Sequence, residues 1–346
     1  MSGLDGVVID LPAVGEPFEF RCHPLGEQVR EGVDSWMRRV ATGIFDPVPL
    51  EGFIEQDHSR WTSFTQPDGD VRRCVLSARI FNWIFLADNV HALITARTAA
   101  DAMNDYDLFR GALTGGSDGD GLSPLWRVTL DTWREITGDM PPGLRDRATD
   151  YFDRMMVNWR REAEWVAGDR DGLPELEEFL PVRYWAGGIA WAIALGEYGL
   201  GLDMAPLLRA HPALAELEET TVWHVTLAND IHSLRQEVLV KEGHNSVWVL
   251  ARGRAENLGS AVAVQIDRLH ELESEWFARR DAVLAGAAGE LPEVRRWVRS
   301  LEHLIGGNMR WGMSATRYHG PGWIWDGKLS ARWMMTLDRT VAIHGR

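Results

Sequence analysis

Apolar residues recur at intervals of three and four along most of the chain, the spacing that gathers them on one face of an α-helix. Between residues 24 and 41 the series is Leu25, Val29, Val33, Trp36, Met37 and Val40. The same period predicts helices at about 50–65, 70–98, 124–137, 144–167, 174–200, 203–215, 217–241, 246–252, 255–285 and 291–319. The interruptions are short and rich in Gly, Pro and Asp: TGGSDGDGLSP (114–124), GDMPPG (138–143) and GDRDGLP (168–174). Connections of that length join antiparallel helices. Strand-like alternation is nearly absent, and no period of 20–50 residues recurs. The pattern predicts one all-α domain over residues 21–346. Residues 1–20, rich in Pro, Gly and acids and without a period, read as an irregular N-terminal arm.

Composition narrows what such a bundle does. The chain has 346 residues, 45% of them apolar and 25% charged, enough for a large core. A net charge of −15 argues against nucleic acid and anionic membrane surfaces, both of which attract basic patches. An anionic substrate then needs metal ions or clustered arginines to offset the field. Two cysteines, Cys22 and Cys74, are too few for a disulfide framework and suit a reducing compartment. The opening residues lack a basic segment followed by a long apolar one, and no apolar run is long enough to span a bilayer, so a cytoplasmic protein is expected. Seventeen tryptophans stand against five tyrosines. Most are expected in the core, with several lining an apolar cavity, where indole faces attract cations without offering a nucleophile.

Four stretches carry candidate chemistry. Asn229, Ser233 and Glu237 are four apart, so an amide oxygen, a hydroxyl and a carboxylate share one helical stripe. Hard oxygens of this kind suit Mg²⁺, although such triplets also occur on solvated faces. Asp88 ends an apolar run in FNWIFLADNVHAL; it is either a site carboxylate or a helix-surface acid paired with Arg79 or Arg97. Arg183, between apolar neighbours and ahead of Gly187-Gly188, offers a fork for phosphate oxygens. The glycine pair marks a break in the helix or a close helix crossing. Arg317-Tyr318 precedes His-Gly-Pro-Gly, a loop able to fold over a site as a lid.

Taken together, these residues resemble the bacterial class I terpene synthases. That family's three-acceptor helix motif matches Asn229, Ser233 and Glu237. Its diphosphate-sensing arginine matches Arg183, 46 residues upstream (229 − 183). Its linker and effector positions match Ala186 and Gly187, and its terminal Arg-Tyr pair matches Arg317-Tyr318, six residues after a pocket aromatic at Trp311. KEGHNSVWVL and FRCHPLGEQVREGVDSW resemble segments of the family as well. The resemblance implies an all-α bundle around a central apolar pocket. It further implies a terpene cyclase, a lyase that ionises a linear isoprenyl diphosphate with three Mg²⁺ and cyclises the carbocation. Asp88 would hold two ions and Asn229, Ser233 and Glu237 the third; Arg183, Arg317 and Tyr318 would hold diphosphate. Phe81, Phe85, Trp185, Ala186, Trp191 and Trp311 are the expected pocket residues. The family often dimerises, which makes a homodimer a candidate assembly. Small residues at Ala87, Ala92, Ala186, Gly187 and Ala190 lean the reading toward a C20 chain, geranylgeranyl diphosphate, and a diterpene product, with farnesyl diphosphate as the alternative.

Two positions depart from the family. Its aspartate-rich motif is reduced here to Asp88-Asn89-Val90-His91-Ala92, with later acids too far along the helix to substitute. The basic residue expected before Glu237 is Gln236, and Arg235, about 100° around the helix, is a weak substitute for that diphosphate contact. His232 lies off the stripe and reads as a packed side chain. A chain-elongating prenyltransferase would carry a second Asp-rich motif, which is absent. A protonation-initiated cyclase would carry an Asp-x-Asp-Asp run, which Asp118-Gly119-Asp120 does not supply. A helical diphosphate-binding protein without turnover has no use for the full set.

Overall fold

The computed structural model describes residues 6–95, 99–167, 174–239, 244–336 and 338–342, with side chains described throughout except at 89–95, 99–103, 166–167, 238–239 and 255. Fifteen α-helices run through the described residues: α1 (Gly26–Ala41), α2 (Pro47–Ile54), α3 (Ser59–Thr65), α4 (Val71–Thr95), α5 (Ala99–Leu113), α6 (Pro124–Gly138), α7 (Pro142–Ala167), α8 (Leu176–Ala186), α9 (Ile189–Leu200), α10 (Ala205–Ala210), α11 (Pro212–Leu239), α12 (Ser246–Leu250), α13 (Leu258–Ala285), α14 (Pro292–Ser314) and α15 (Thr316–His319). No helix among them is long and apolar enough to cross a membrane. The helix at 50–65 divides at Asp57, whose φ is +52°, into α2 and α3. The helix α5 was not anticipated, although Tyr106, Phe109, Ala112 and Leu113 bury one face of it.

Helix α4 is buried nearly all round from Cys74 to Ala87, as suits the middle of a bundle. Phe81, Ile84, Trp191, Trp311 and Tyr318 belong to the largest core cluster, which also takes in Trp126, Trp133 and Phe152. A second cluster joins α11, α12, α13 and α14 to a small sheet.

That sheet corrects the expectation of an irregular arm, while the described residues otherwise keep the expected all-α architecture. Strand β1 (Val7–Leu11) pairs antiparallel with β2 (Ala331–Met335), which pairs antiparallel with β3 (Thr340–Ala342). Ile9 and Leu11 point inward and Val8 and Asp10 outward, the two-residue period of a half-buried strand. The sheet thus fastens the N-terminal arm to the C-terminal segment. The loop after α15 lies beside it rather than over the bundle. Trp323 donates from Nε1 to the Met313 carbonyl at 2.8 Å and stacks on His319 at 4.2 Å, which places the segment expected as a lid beside the sheet in the ligand-free protein.

Candidate active site

A cavity of about 170 Å³ opens between α4, α7, α8, α9, α11 and α14. Its apolar part is walled by Trp61, Phe81, Ile84, Phe85, Met155, Trp159, Trp191 and Trp311. Trp61, Phe81 and Trp191 meet edge to face in sequence, at 4.8 and 5.2 Å between ring centroids. Phe85 stacks on Trp311 at 5.8 Å, and Trp311 meets Tyr318 edge on at 5.1 Å. Four of the seventeen tryptophans therefore face the cavity, and the others are spent elsewhere. Trp185 is one of those. It precedes Ala186 by one helical step, about 100°, which turns it to the outer face of α8. There it packs on Tyr184 and Tyr151, under the Arg154 guanidinium at 4.8 Å. The expectation of Trp185 as a pocket wall is corrected.

The wall is interrupted where α8 ends and α9 begins. Gly188 adopts φ +70°, a conformation that costs any side-chain-bearing residue about 1–2 kcal/mol. A Cβ there would also sit 2.8 Å from Met155 Sδ. Around this turn the Ala186 carbonyl accepts from Trp159 Nε1 at 2.8 Å and the Gly188 carbonyl from the Ala192 N–H. Among the described residues the Gly187 carbonyl receives no backbone donor. Ala186, Gly187 and Gly188 all line the cavity, so the break exposes peptide dipoles within an aromatic chamber.

The other end of the cavity is polar. It gathers Asp88 from α4, Glu162 from α7, Arg183 from α8, Asn229, Ser233, Gln236 and Glu237 from α11, His244, and Arg317 and Tyr318 from α15. Asn229 donates from Nδ2 to Tyr318 Oη at 2.8 Å, which leaves its Oδ1 as the acceptor. Ser233 donates to Glu237 Oε1 at 2.7 Å, and Asn245 Nδ2 donates to Glu237 Oε2 at 2.6 Å. The three oxygens of the stripe thus lie together, and burial raises the Glu237 carboxyl to about 7, against the pull of Arg183. This donor set is hard and mostly buried, with one carboxylate beside an amide and a hydroxyl oxygen, which fits a divalent ion of the Mg²⁺ kind. Asp88 is 42% accessible and pairs with Arg317 Nη2 at 3.2 Å, not with Arg79. Asn89 and Ala92, the weakened part of that motif, have side chains outside the described residues, as does the whole of Arg97. Asp107, on the separate helix α5, pairs with Arg160.

Arg183 stands among three acids at the edge of the cavity. Burial works against its charge, but Asp230, Glu237 and Glu162 hold it firmly protonated. Its Nε and Nη2 donate to Asp230 Oδ1 at 2.9 and 2.5 Å; Glu162 and Glu237 each stand 3.7 Å away. Asp230 is wholly buried and uses its other oxygen to accept from the N–H and Oγ of Ser246, at 2.9 and 2.5 Å. One carboxylate therefore ties the arginine to the start of α12. Asp230 and Glu162 were not picked out from the sequence. Asp230 stood beside Asn229 in the motif itself, but it points about 100° away from the stripe. Glu162 lies in WRREAEW, where nothing distinguishes it from neighbouring surface acids. Burial raises the Glu162 carboxyl to about 8, with Arg183 opposing.

Arg235 does not reach the cavity. It is 4% exposed and donates from Nε to the Thr336 carbonyl and from Nη1 to the Tyr318 carbonyl, both at 3.1 Å. Its neighbour Gln236 is the one that faces in. The expected weak diphosphate contact at Arg235 is corrected by that one-residue rotation. His232, also off the stripe, is 3% exposed and lowered to about 3 by burial.

Comparison with known proteins gives a consistent picture. Residues 79–275 match the model of terpene synthase family 2, C-terminal metal binding. The α-muurolene synthase of Coprinopsis cinerea is 26% identical over 88% of this chain and 72% of its own length. The (+)-eremophilene synthase of Sorangium cellulosum is 27% identical over 88% of this chain and 91% of its own. Among solved structures, the ancestral reconstruction SVS_A2 superposes with a TM-score of 0.77 at 21% identity, covering 92% of this chain and 93% of that one. Hedycaryol synthase in complex with HEPES gives 0.73 at 19% identity, covering 88% and 98%.

Proposed function

The chain belongs to terpene synthase family 2, and on that premise we propose that it is a class I cyclase of farnesyl diphosphate, forming a C15 product. A metal-using lyase of a prenyl diphosphate follows from the family; the substrate length and the residue roles are our reading. One observation carries it: a single chamber has hard oxygens and two arginines at one end and an aromatic wall at the other.

The lining of the chamber argues for fifteen carbons. The lean toward C20 rested on five small residues. Ala87 and Ala190 pack into the core and do not line the cavity, and the side chain of Ala92 lies outside the described residues. Ala186 and Gly187 do line it, among the large side chains of Trp61, Phe81, Met155 and Trp191. The relatives are also mostly sesquiterpene synthases.

When bound, divalent ions (three Mg²⁺ by the family resemblance) supply Lewis-acid charge to the departing diphosphate. Asn229, Ser233 and Glu237 would hold one of them and Asp88 the others. Arg183, Arg317 and Tyr318 donate to diphosphate oxygens, with most effect as the C–O bond breaks and negative charge grows there. Arg317 leaves Asp88 to do so. The chain's allyl cation then lies against Phe81, Phe85, Trp191 and Trp311, whose faces attract it and whose bulk keeps water out. Gly187 lines the same cavity, and its carbonyl would add a fixed dipole favourable to positive charge. Incubation with farnesyl diphosphate and Mg²⁺ is expected to release diphosphate, and Glu237→Gln is expected to abolish the release. Absence of release by the wild type would overturn the proposal.

A further inference from the structure

Building on the proposed diphosphate site, we propose that Arg235 is a positioning residue. It straps the Arg317–Tyr318 segment and the C-terminal sheet to the helix bearing Asn229, Ser233 and Glu237, so both halves of the polar end move as one body. Tyr318 is held from α11 at both its ends. Asn229 donates to its hydroxyl at 2.8 Å and Arg235 to its carbonyl at 3.1 Å. Those two residues are six apart, so Tyr318 is gripped across about 9 Å of α11.

The second bond of Arg235 reaches the Thr336 carbonyl, at the start of the turn between β2 and β3. Through that turn the motif helix also holds the sheet that joins the two ends of the chain. A guanidinium suits this task because its fork presents several donors in fixed directions, where an ammonium would serve as a single point. The packing beneath is equally close. A Cβ at Gly312 would run into the His232 ring, so α14 lies directly on α11 just before the Arg-Tyr segment. His319 Nε2 pairs with the Gly312 carbonyl at 2.8 Å, tying the far end of α15 to α14. The charge one step from the metal stripe is thus used outside the cavity, to place the groups inside it.

The test uses Arg235→Gln, Arg235→Lys and the double variant Arg235→Gln/Gln236→Arg. In the metal-free, substrate-free protein, hydrogen exchange at residues 316–319 and 331–336 is expected to quicken in Arg235→Gln and less so in Arg235→Lys. Unchanged exchange in both variants would overturn the strap, and this readout needs no catalysis. With substrate, Arg235→Gln is expected to lower kcat about tenfold per folded molecule with KM little changed, the mark of an interaction made in the transition state. In an Arg317→Gln background the same change is expected to cost less than about twofold further, because both act through one segment. Losses that multiply would overturn the proposal. So would recovery of activity in the double variant, since a charge moved onto the cavity face helps only if Arg235 touched diphosphate. Failure of the wild type to release diphosphate would count against the proposed function alone, and the exchange measurement would still decide the strap.

Discussion

Replacing Asp230 with Asn tests whether the buried arginine is held where the geometry places it. Asp230 accepts two hydrogen bonds from Arg183 on one oxygen and two from Ser246 on the other. Asn keeps one acceptor and turns the other into a donor, so either orientation sets N–H against N–H. It also removes the charge nearest a fully buried guanidinium, and breaking a buried ion pair from one side costs about 3–5 kcal/mol. For 346 residues the unfolding entropy is about 0.7 kcal/mol per kelvin, so the expected loss is about 4–7 °C in Tm. Arg183, freed from its anchor, is drawn to Glu162 and Glu237, each already 3.7 Å away. A displacement of about 1 Å there is expected to lower kcat/KM about 100-fold. Thermal melts followed by tryptophan fluorescence give the first quantity and diphosphate release the second. A Tm within about 1 °C of wild type, with kcat/KM within about twofold, would refute the reasoning.

Other substitutions read other parts of the site. Gly188→Ala forces a side chain into φ +70° against Met155, and Tm is expected to fall by about 2–4 °C with a changed product ratio; an unchanged melt would show that the break relaxes without strain. Asn229→Ala removes one stripe oxygen and the bond to Tyr318, so the Mg²⁺ concentration giving half-saturation in a fluorescence titration is expected to rise about 10–100-fold, and an unmoved curve would count against the stripe. Glu162 gives a pH signature. Its carboxyl, raised by burial to about 8, stays protonated where the unfolded chain has ionised, so stability falls as pH rises from about 4.5 to 8. Buried histidines, His232 and His244 lowered by burial to about 3 and His319 to about 4, act oppositely, and their gain is complete near pH 7. Between pH 7 and 8 the ligand-free protein is therefore expected to lose about 1 kcal/mol through Glu162, a loss that Glu162→Gln removes; an equal decline in the variant would assign it elsewhere.

Helices were legible because a 3.6-residue period persists over many turns, as in α1, α7 and α13. The break at Gly187-Gly188 was legible because two glycines stand inside such a pattern. The three strands were not. Each has five residues or fewer, and β1 finds its partner more than 300 residues away, beyond the reach of any local pattern. Helix α5 was hidden by the acids interleaved with Tyr106 and Phe109. Within the site, the residues that face the cavity from recognisable motifs were legible: Asp88, Arg183, Asn229, Ser233, Glu237, Arg317 and Tyr318. Those that act by holding others were not, because their role depends on what folds against them. Asp230 and Arg235 stand inside the motif stretch and one helical step off its stripe, so spacing alone could not say what either would meet. The same ambiguity misdirected Trp185, one step from Ala186.

The most direct test offers purified protein farnesyl and geranylgeranyl diphosphates together, at equal concentration with Mg²⁺, and resolves the products by mass. A chamber that joins hard oxygens and arginines to a wall of Trp61, Phe81, Phe85, Met155, Trp191 and Trp311 predicts Mg²⁺-dependent C15 products in large excess over C20. Equal or greater C20 product would contradict the assigned chain length, and an absence of any terpene would contradict the site itself.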